Sequence, residues 1–161
     1  MTQRHIAIDL DSQTLDLFDD TARLRRFAVS ASRFGAGEQA GSFKTPRGHH
    51  IIRAKIGAGQ PPNTVFVGRR PTGEMYSERL ACAEPNRDWI LTRILWLSGT
   101  EIGKNRLGPF DTMRRYIYIH GSPASAQLGV PGSIGCVRMA NADVIELFDL
   151  VPVGTPVEIR G

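Results

Sequence analysis

The stretch that decides the reading is Tyr116-Ile117-Tyr118-Ile119-His120-Gly121-Ser122-Pro123, followed, after a short polar and glycine-rich loop, by Gly132-Ser133-Ile134-Gly135-Cys136-Val137-Arg138-Met139. The first part alternates aromatic and β-branched residues, as a strand does, and ends on a histidine. The second part follows a loop with Pro123, Gly129, Pro131 and Gly132, and it carries a cysteine flanked by glycine and, two residues on, arginine. A strand holds a base rigidly, and a loop presents a nucleophile to it. Cysteine–histidine acyl transfer needs that arrangement.

Attack requires the thiolate, and an ordinary thiol with a pKa of about 8.5 is mostly protonated at neutral pH. An imidazole can take that proton and a guanidinium favours the anion, roles open to His120 and Arg138. Gly135 removes a side chain just before the cysteine, so N–H groups at Gly135 and Cys136 can approach a substrate carbonyl as an oxyanion hole. A structural account competes with this one: Cys136 as a small buried hydrophobe and His120 as a strand-end histidine. The spacing of one cysteine and one histidine does not separate the two.

More of the chain bears on the choice. Ile119-His120-Gly121-Ser122 and Ser133-Ile134-Gly135-Cys136-Val137-Arg138-Met139 resemble the two signature segments of the YkuD-type L,D-transpeptidases. That family typically reads His-Gly-Thr, then Ser-His-Gly-Cys, a hydrophobic residue, and Arg or Asn. Gly41-Ser42-Phe43-Lys44-Thr45-Pro46-Arg47-Gly48 is similar to its Thr-Pro-x-Gly segment. Asn141-Ala142-Asp143-Val144 and Val153-Gly154-Thr155-Pro156-Val157 are similar to its closing segments. The likeness runs over nearly the whole chain in the right order. Two departures stand out. Ser122 replaces a common threonine, and Ile134 stands where the family often has histidine, which leaves His120 as the only histidine in either segment.

The resemblance implies a single catalytic domain over residues 1–161, with a β-sandwich-like core and the active cysteine in a groove beneath a flap. It implies Cys136 as nucleophile, His120 as base and later acid, and the Gly121 carbonyl as the group that orients the imidazole. Gly135, Ser133, Tyr118 and Arg138 fall on the oxyanion and substrate side, with Arg138 either holding a substrate carboxylate or bracing the loop. The implied substrate is the bond between diaminopimelate and D-alanine in a peptidoglycan tetrapeptide stem, free or as a soluble muropeptide, with no metal and no cofactor. Water as acceptor makes the enzyme an L,D-carboxypeptidase. An amine acceptor gives 3→3 cross-links or a protein anchor. A non-catalytic peptidoglycan-binding module is the remaining alternative, and the joint presence of His120, Cys136 and Arg138 argues against it.

Bulk properties agree with one globular domain. The chain has 161 residues, 41% hydrophobic and 22% charged, enough for an adequate core. Its 17 glycines and 10 prolines indicate many turns, hence a mostly β fold. The net charge of +4 is spread along the chain, and no basic motif interleaved with aromatics appears, so nucleic-acid binding is not expected. Two cysteines make no disulfide framework, and Cys82 reads as a buried or incidental thiol. Asp9 and Asp11 precede any apolar run long enough for a signal peptide, and no stretch approaches the ~18 apolar residues of a membrane span. As written, the chain is expected in the cytoplasm without membrane insertion, or in the periplasm if its start has been trimmed. In the cytoplasm the carboxypeptidase reaction is the expected one.

Strands are expected at His5–Leu10, Leu15–Phe18, Leu24–Ser32, His49–Ile56, Thr64–Gly68 and Thr155–Arg160, with Trp89–Ser98 as the buried central strand. Arg69–Arg87 reads as a long loop or flap that, with Tyr116 and Tyr118, walls the groove. Asn141 is expected to cap a short helix carrying Val144, Leu147, Phe148 and Val151 on its inner face. His49 and His50 are neighbours on a strand and point to opposite faces, so they do not read as a metal pair.

Overall fold

The computed structural model describes residues 3–161. Its strands are β1 (Arg4–Asp9), β2 (Thr14–Asp19), β3 (Ala22–Ala28), β4 (Gly48–Ile56), β5 (Thr64–Val67), β6 (Arg70–Met75), β7 (Ile90–Gly99), β8 (Tyr118–Ser122), β9 (Val137–Ala140) and β10 (Pro156–Arg160). Two helices, α1 (Glu78–Ala83) and α2 (Asn141–Leu150), complete it. The sheet runs β3-β2-β1-β10-β4-β7-β5-β6, while β8 joins β7 and carries β9 on its far side. Residues just past β3 then bridge to β9 through Ser30 and Arg138, so the sheet curls back on itself. The expected mostly β core is thus one curled sheet with its apolar face turned inward.

Alternation in the sequence sets that face. Ile6 lies opposite Leu17 and Val157, and Ile8 opposite Leu15 and Ile159, giving two buried rows across three strands. Burial of each such side chain is worth about 1.5–3 kcal/mol. Strand β7 is apolar on both faces because it is covered on both. It pairs with β4, β5 and β8, and α2 packs across it and β8 through Val144, Leu147 and Phe148.

Three expectations need correction. Residues 69–87 are not one loop. Gly68 and Arg69 both take positive φ (+56° and +65°), the geometry of a two-residue hairpin turn, and β6 follows directly. Arg69 tolerates this conformation because its side chain is held by the Tyr118 hydroxyl and lies over the Trp96 and Tyr116 rings. Ser77 then caps α1 by accepting from the Leu80 N–H, and the helix ends before Pro85. Second, β3 stops at Ala28; Ser30 then bridges to Arg138 on β9, and Ala31 and Arg33 bond to Gly132 and Ser133 ahead of Cys136. Third, Asn141 is the first helical residue and not the cap, because α2 follows β9 without a break and the Asn141 side chain is bonded to Thr92 and Asn63. Of the two readings of Cys82, buried or incidental, its exposed place on α1 favours the incidental one.

Candidate active site

His120 sits in the middle of β8, between β7 and β9, and is 1% exposed. Its Nδ1 lies 2.6 Å from the Gly121 carbonyl oxygen. A carbonyl only accepts, so Nδ1 carries the proton and Nε2 holds the lone pair. Nε2 is buried without a hydrogen-bond partner among the described residues. Burial drives the imidazole pKa below its usual value, and the Arg138 charge adds to this against the Gly121 carbonyl and Asp88, so the ring is neutral at neutral pH. Gly121 must be glycine. A Cβ there would stand 2.6 Å from the Leu91 carbonyl oxygen on β7. Beneath it β7 bulges, and Thr92, fully buried, takes φ +77°, a left-handed conformation costly for a β-branched residue. The Thr92 hydroxyl donates to Asn141 and accepts from the Asn63 N–H, bonds that hold the bulge against the Gly121 edge of β8.

Cys136 comes immediately before β9, the parallel partner of the strand β8 that carries His120. Its sulfur accepts from the Tyr118 N–H at 3.3 Å and donates to the Tyr116 carbonyl at 3.4 Å. Those contacts satisfy a protonated thiol. Desolvation pushes its pKa up to about 12, with Asp88 adding to the rise and the Tyr118 N–H, Arg138 and Arg115 opposing it. The resting pair is therefore neutral thiol and neutral imidazole, and the sulfur is not hydrogen-bonded to His120.

Polar side chains hold the loop that carries the thiol. The Ser133 hydroxyl donates to the Cys136 carbonyl and accepts from the Gly135 N–H at 3.2 Å. Thr45 Oγ1 donates to the Gly135 carbonyl at 2.9 Å and accepts from the Ser32 N–H at 3.0 Å. Gly135 takes φ +132°, accessible to glycine and strained for other residues. Arg138 donates to the Gly132 carbonyl and to Asp88. Of the two roles expected for Arg138, bracing the loop is the one its contacts display. Ser133 and Gly135 likewise brace the loop, and the Gly135 N–H already has a partner.

A cavity of about 390 Å³ opens beside the thiol, walled by Phe43, Arg69, Asp88, Tyr116, Tyr118 and Ile134 among others. Of the expected walls, Tyr116, Tyr118 and, from Arg69–Arg87, Arg69 alone line this cavity. Tyr76 and Arg87, from the far end of the predicted flap, line a neighbouring cavity of about 250 Å³ with Arg138. His49 and His50 face opposite sides of β4, as expected of neighbours on a strand. His50 lies between the Gly48 carbonyl and the Thr112 hydroxyl; desolvation pushes its pKa down to about 4 against the Gly48 hydrogen bond, and His49 is exposed beside Glu101. Among the described residues no three His, Cys, Asp or Glu side chains are placed to hold a metal ion, and no helix is long and apolar enough to cross a membrane. Sequence reasoning missed Asp88. It lies in the connection from α1 to β7, next to the apolar run, and nothing local distinguishes it from a solvated turn residue.

The structure is thus a mostly β domain whose curled sheet brings an oriented imidazole and a loop-borne thiol onto neighbouring segments. The chain belongs to the YkuD family of L,D-transpeptidase catalytic domains, whose profile matches residues 3–159. The probable L,D-transpeptidase YbiS of Escherichia coli K12 is 36% identical over 128 residues, which is 70% of this chain and 39% of that protein. The putative L,D-transpeptidase YkuD of Bacillus subtilis is 43% identical over 62 residues, 35% of this chain and 38% of that protein. The chain thus spans about two-fifths of the length of these curated relatives. Among solved structures, an L,D-transpeptidase from Mycobacterium smegmatis aligns with a TM-score of 0.60 at 20% identity, covering 99% of this chain and 59% of that one. L,D-transpeptidase 3 from Mycobacterium tuberculosis, in complex with a faropenem-derived adduct, aligns at 0.61 and 15% identity, covering 99% and 61%. At these identities the structural likeness speaks to the fold.

Proposed function

We propose that the domain cleaves the bond between an L-centre and a terminal D-alanine in a peptidoglycan stem tetrapeptide, through a Cys136 thioester that water hydrolyses. The neutral His120 imidazole, with Nε2 unpartnered and Nδ1 held by Gly121, supports the role of base. Substrate entry turns the thiol proton from the Tyr116 carbonyl to Nε2. The sulfur then bonds to the substrate carbonyl carbon, and the imidazolium gives the proton to the departing D-alanine amine. The Cys136 N–H stabilises the oxyanion, joined by the Gly135 N–H once it leaves Ser133. Water, deprotonated by His120, releases a tripeptide carboxylate and restores the thiol.

The observation that carries hydrolysis over amine transfer is the partition beside the thiol. Asp88 lines the 390 Å³ cavity, Arg138 lines its smaller neighbour, and the ion pair between them joins the two walls, which supports a site that takes one peptide at the thioester. Transpeptidation needs a second peptide held in line while water is excluded. The neighbouring cavity favours that second reading if the partition opens to an acceptor. Incubation with a purified disaccharide-tetrapeptide tests the choice. The expected products by mass spectrometry are tripeptide and free D-alanine with little dimer, and predominant 3→3 dimers would replace hydrolysis by transpeptidation. A faropenem-type β-lactam is expected to add to Cys136 in intact-mass spectra. Action on soluble fragments goes with a cytoplasmic location, which fractionation of the native protein tests.

A further inference from the structure

The Cys136 thiol is held by main chain. Its sulfur meets the Tyr118 N–H and the Tyr116 carbonyl, two groups that flank Ile117 and reach it from the same edge of the chain. Tyr116 takes φ +57° there, a left-handed conformation that residues other than glycine avoid. The turn before it shows how the conformation is imposed. The Arg115 N–H closes one helical turn on the Asp111 carbonyl at 3.1 Å. The Tyr116 N–H then returns to the Met113 carbonyl at 3.1 Å, and the Ile117 N–H to the Thr112 carbonyl at 3.5 Å. This is the pair of bonds that ends a helix, and it puts Tyr116 at the position glycine usually fills.

Three contacts pin that turn from outside. His50 Nδ1 donates to the Gly48 carbonyl, so Nε2 accepts from the hydroxyl of fully buried Thr112 at 3.0 Å. The Trp96 indole N–H donates to the Met113 carbonyl at 3.1 Å. The Tyr116 ring lies under the Arg69 guanidinium and against Trp96. The buried imidazole of His50, which takes no part in acyl transfer, is therefore one anchor of the turn that reaches the nucleophile.

We infer that Tyr116 is a positioning residue whose left-handed backbone latches the Cys136 S–H on the Tyr116 carbonyl, keeping the resting nucleophile from His120 and from solution electrophiles until substrate displaces it. A carbonyl that accepts from the neutral thiol opposes its ionisation. His120 Nε2, buried without a partner among the described residues, is the acceptor that takes the proton on release. If Tyr116 left the left-handed region, its carbonyl would turn from the sulfur and Nε2 would become the acceptor for the S–H. The thiol would then ionise into the imidazole without waiting for substrate. The part played in turnover rests on the reading of Cys136 given above, and the latch itself does not.

Two substitutions separate backbone from ring. Tyr116→Gly and Tyr116→Val both remove the ring, but glycine takes the left-handed conformation freely and a β-branched residue resists it. In a Cys82→Ala background, iodoacetamide labelling of Cys136 is followed by intact mass across a pH series. At about pH 7.5, Tyr116→Val should label about tenfold or more faster than Tyr116→Gly, and its rate should begin to rise at lower pH. Equal rates and equal pH dependence in the two variants would overturn the latch. Infrared spectroscopy supplies a readout that depends on no variant at position 116. The Cys136 S–H stretch, isolated by subtracting the Cys136→Ala spectrum in the same background, should lie at the lowered frequency of a hydrogen-bonded thiol. A free S–H frequency would overturn the inference whatever the variants do. Neither measurement involves turnover. A protein that passes both and processes no stem peptide would refute the acyl-transfer reading and keep the latch. One that processes the stem and fails either would keep that reading and lose the latch.

Discussion

His120 and Cys136 lie on neighbouring parallel segments, yet they are held by different means. The β8 side is fixed by main-chain ladders to β7 and β9, and all five of its residues are buried. The Gly132–Cys136 side is held by single polar bonds from Ser133, Thr45 and Arg138 and by the Val29–Arg33 segment running beside it. A base built into a ladder cannot move without breaking the sheet. A nucleophile on a braced loop can be re-aimed by changing one hydroxyl. Substitutions on the first side should therefore cost folding stability, and those on the second should cost rate first.

The widest break comes at the two reacting groups. Cys136→Ala is expected to abolish turnover of the tetrapeptide with little change in melting temperature, and activity within tenfold of wild type would remove the nucleophile assignment. His120→Gln should lower kcat/KM by about 10²–10⁴. The pH profile sharpens the point. His120 works as a base only when neutral, and its pKa is depressed. The acid limb of kcat/KM should therefore lie below the usual imidazole value of about 6.5, with activity lost as pH falls through the depressed pKa. No alkaline gain from thiol ionisation is expected at pH 8–9, since Cys136 stands at about 12. A limb that rises there would mean a preformed thiolate.

Next come two supporting residues, one on each side. Gly121→Ala drives a Cβ into the Leu91 carbonyl and the Asn141 side chain. Backbone cannot yield as a side-chain tip does, so the loss should be about 3 kcal/mol, a fall of roughly 6–12 °C in melting temperature. Thr45→Val keeps the shape and removes the hydroxyl that joins the Ser32 N–H to the Gly135 carbonyl. Leaving those buried groups unpaired costs about 1–3 kcal/mol. Misplacing the cysteine should also cost rate, by about tenfold or more. If Thr45→Val lost stability alone, with kcat/KM unchanged, the distinction between a rigid base and an adjustable nucleophile would fail.

Much of this was legible in the chain. The alternation of Tyr116–Ile119 placed His120 on a strand, and the resemblance of the Ser-x-Gly-Cys-x-Arg segment to the family's signature set Cys136 beside it. The apolar run at Trp89–Ser98 was legible as the central strand because it is apolar on both faces. Three features were not. The β5–β6 hairpin turns on Gly68-Arg69, and a left-handed arginine is stable only through its tertiary contacts with Tyr118, Trp96 and Tyr116. The Thr92 bulge depends on Asn63 and Asn141, distant in sequence. Asp88 acquires its place only when β7 and β9 bring it to Arg138, fifty residues away. Helix α1, by contrast, had a readable start in Ser77 and a stop in Pro85, and its brevity hid it.

The smallest expected effect concerns the other thiol, and it isolates what the site does to Cys136. Cys82 lies exposed on the six-residue helix α1, outside the walls of either cavity near the site. Cys82→Ala removes a surface group and puts a stronger helix former in its place, so stability should stay within about 0.5 kcal/mol and turnover should be unchanged. The two thiols should differ sharply towards a small alkylating reagent. Alkylation needs the thiolate, and at Cys136 the anion is opposed by desolvation, while the S–H is already placed against the Tyr116 carbonyl. In wild-type protein near pH 7.5 iodoacetamide should therefore mark Cys82 first and leave Cys136 largely unmodified, and Cys82→Ala should make the protein nearly inert to it. A substrate-like acylating agent supplies what iodoacetamide lacks, a carbonyl that draws the proton towards His120 as the bond forms. Peptide mapping should then find that adduct on Cys136 alone. Were Cys136 to react first with both reagents, its thiolate would be present before substrate arrives, and the loop would be holding an ion and not a neutral thiol.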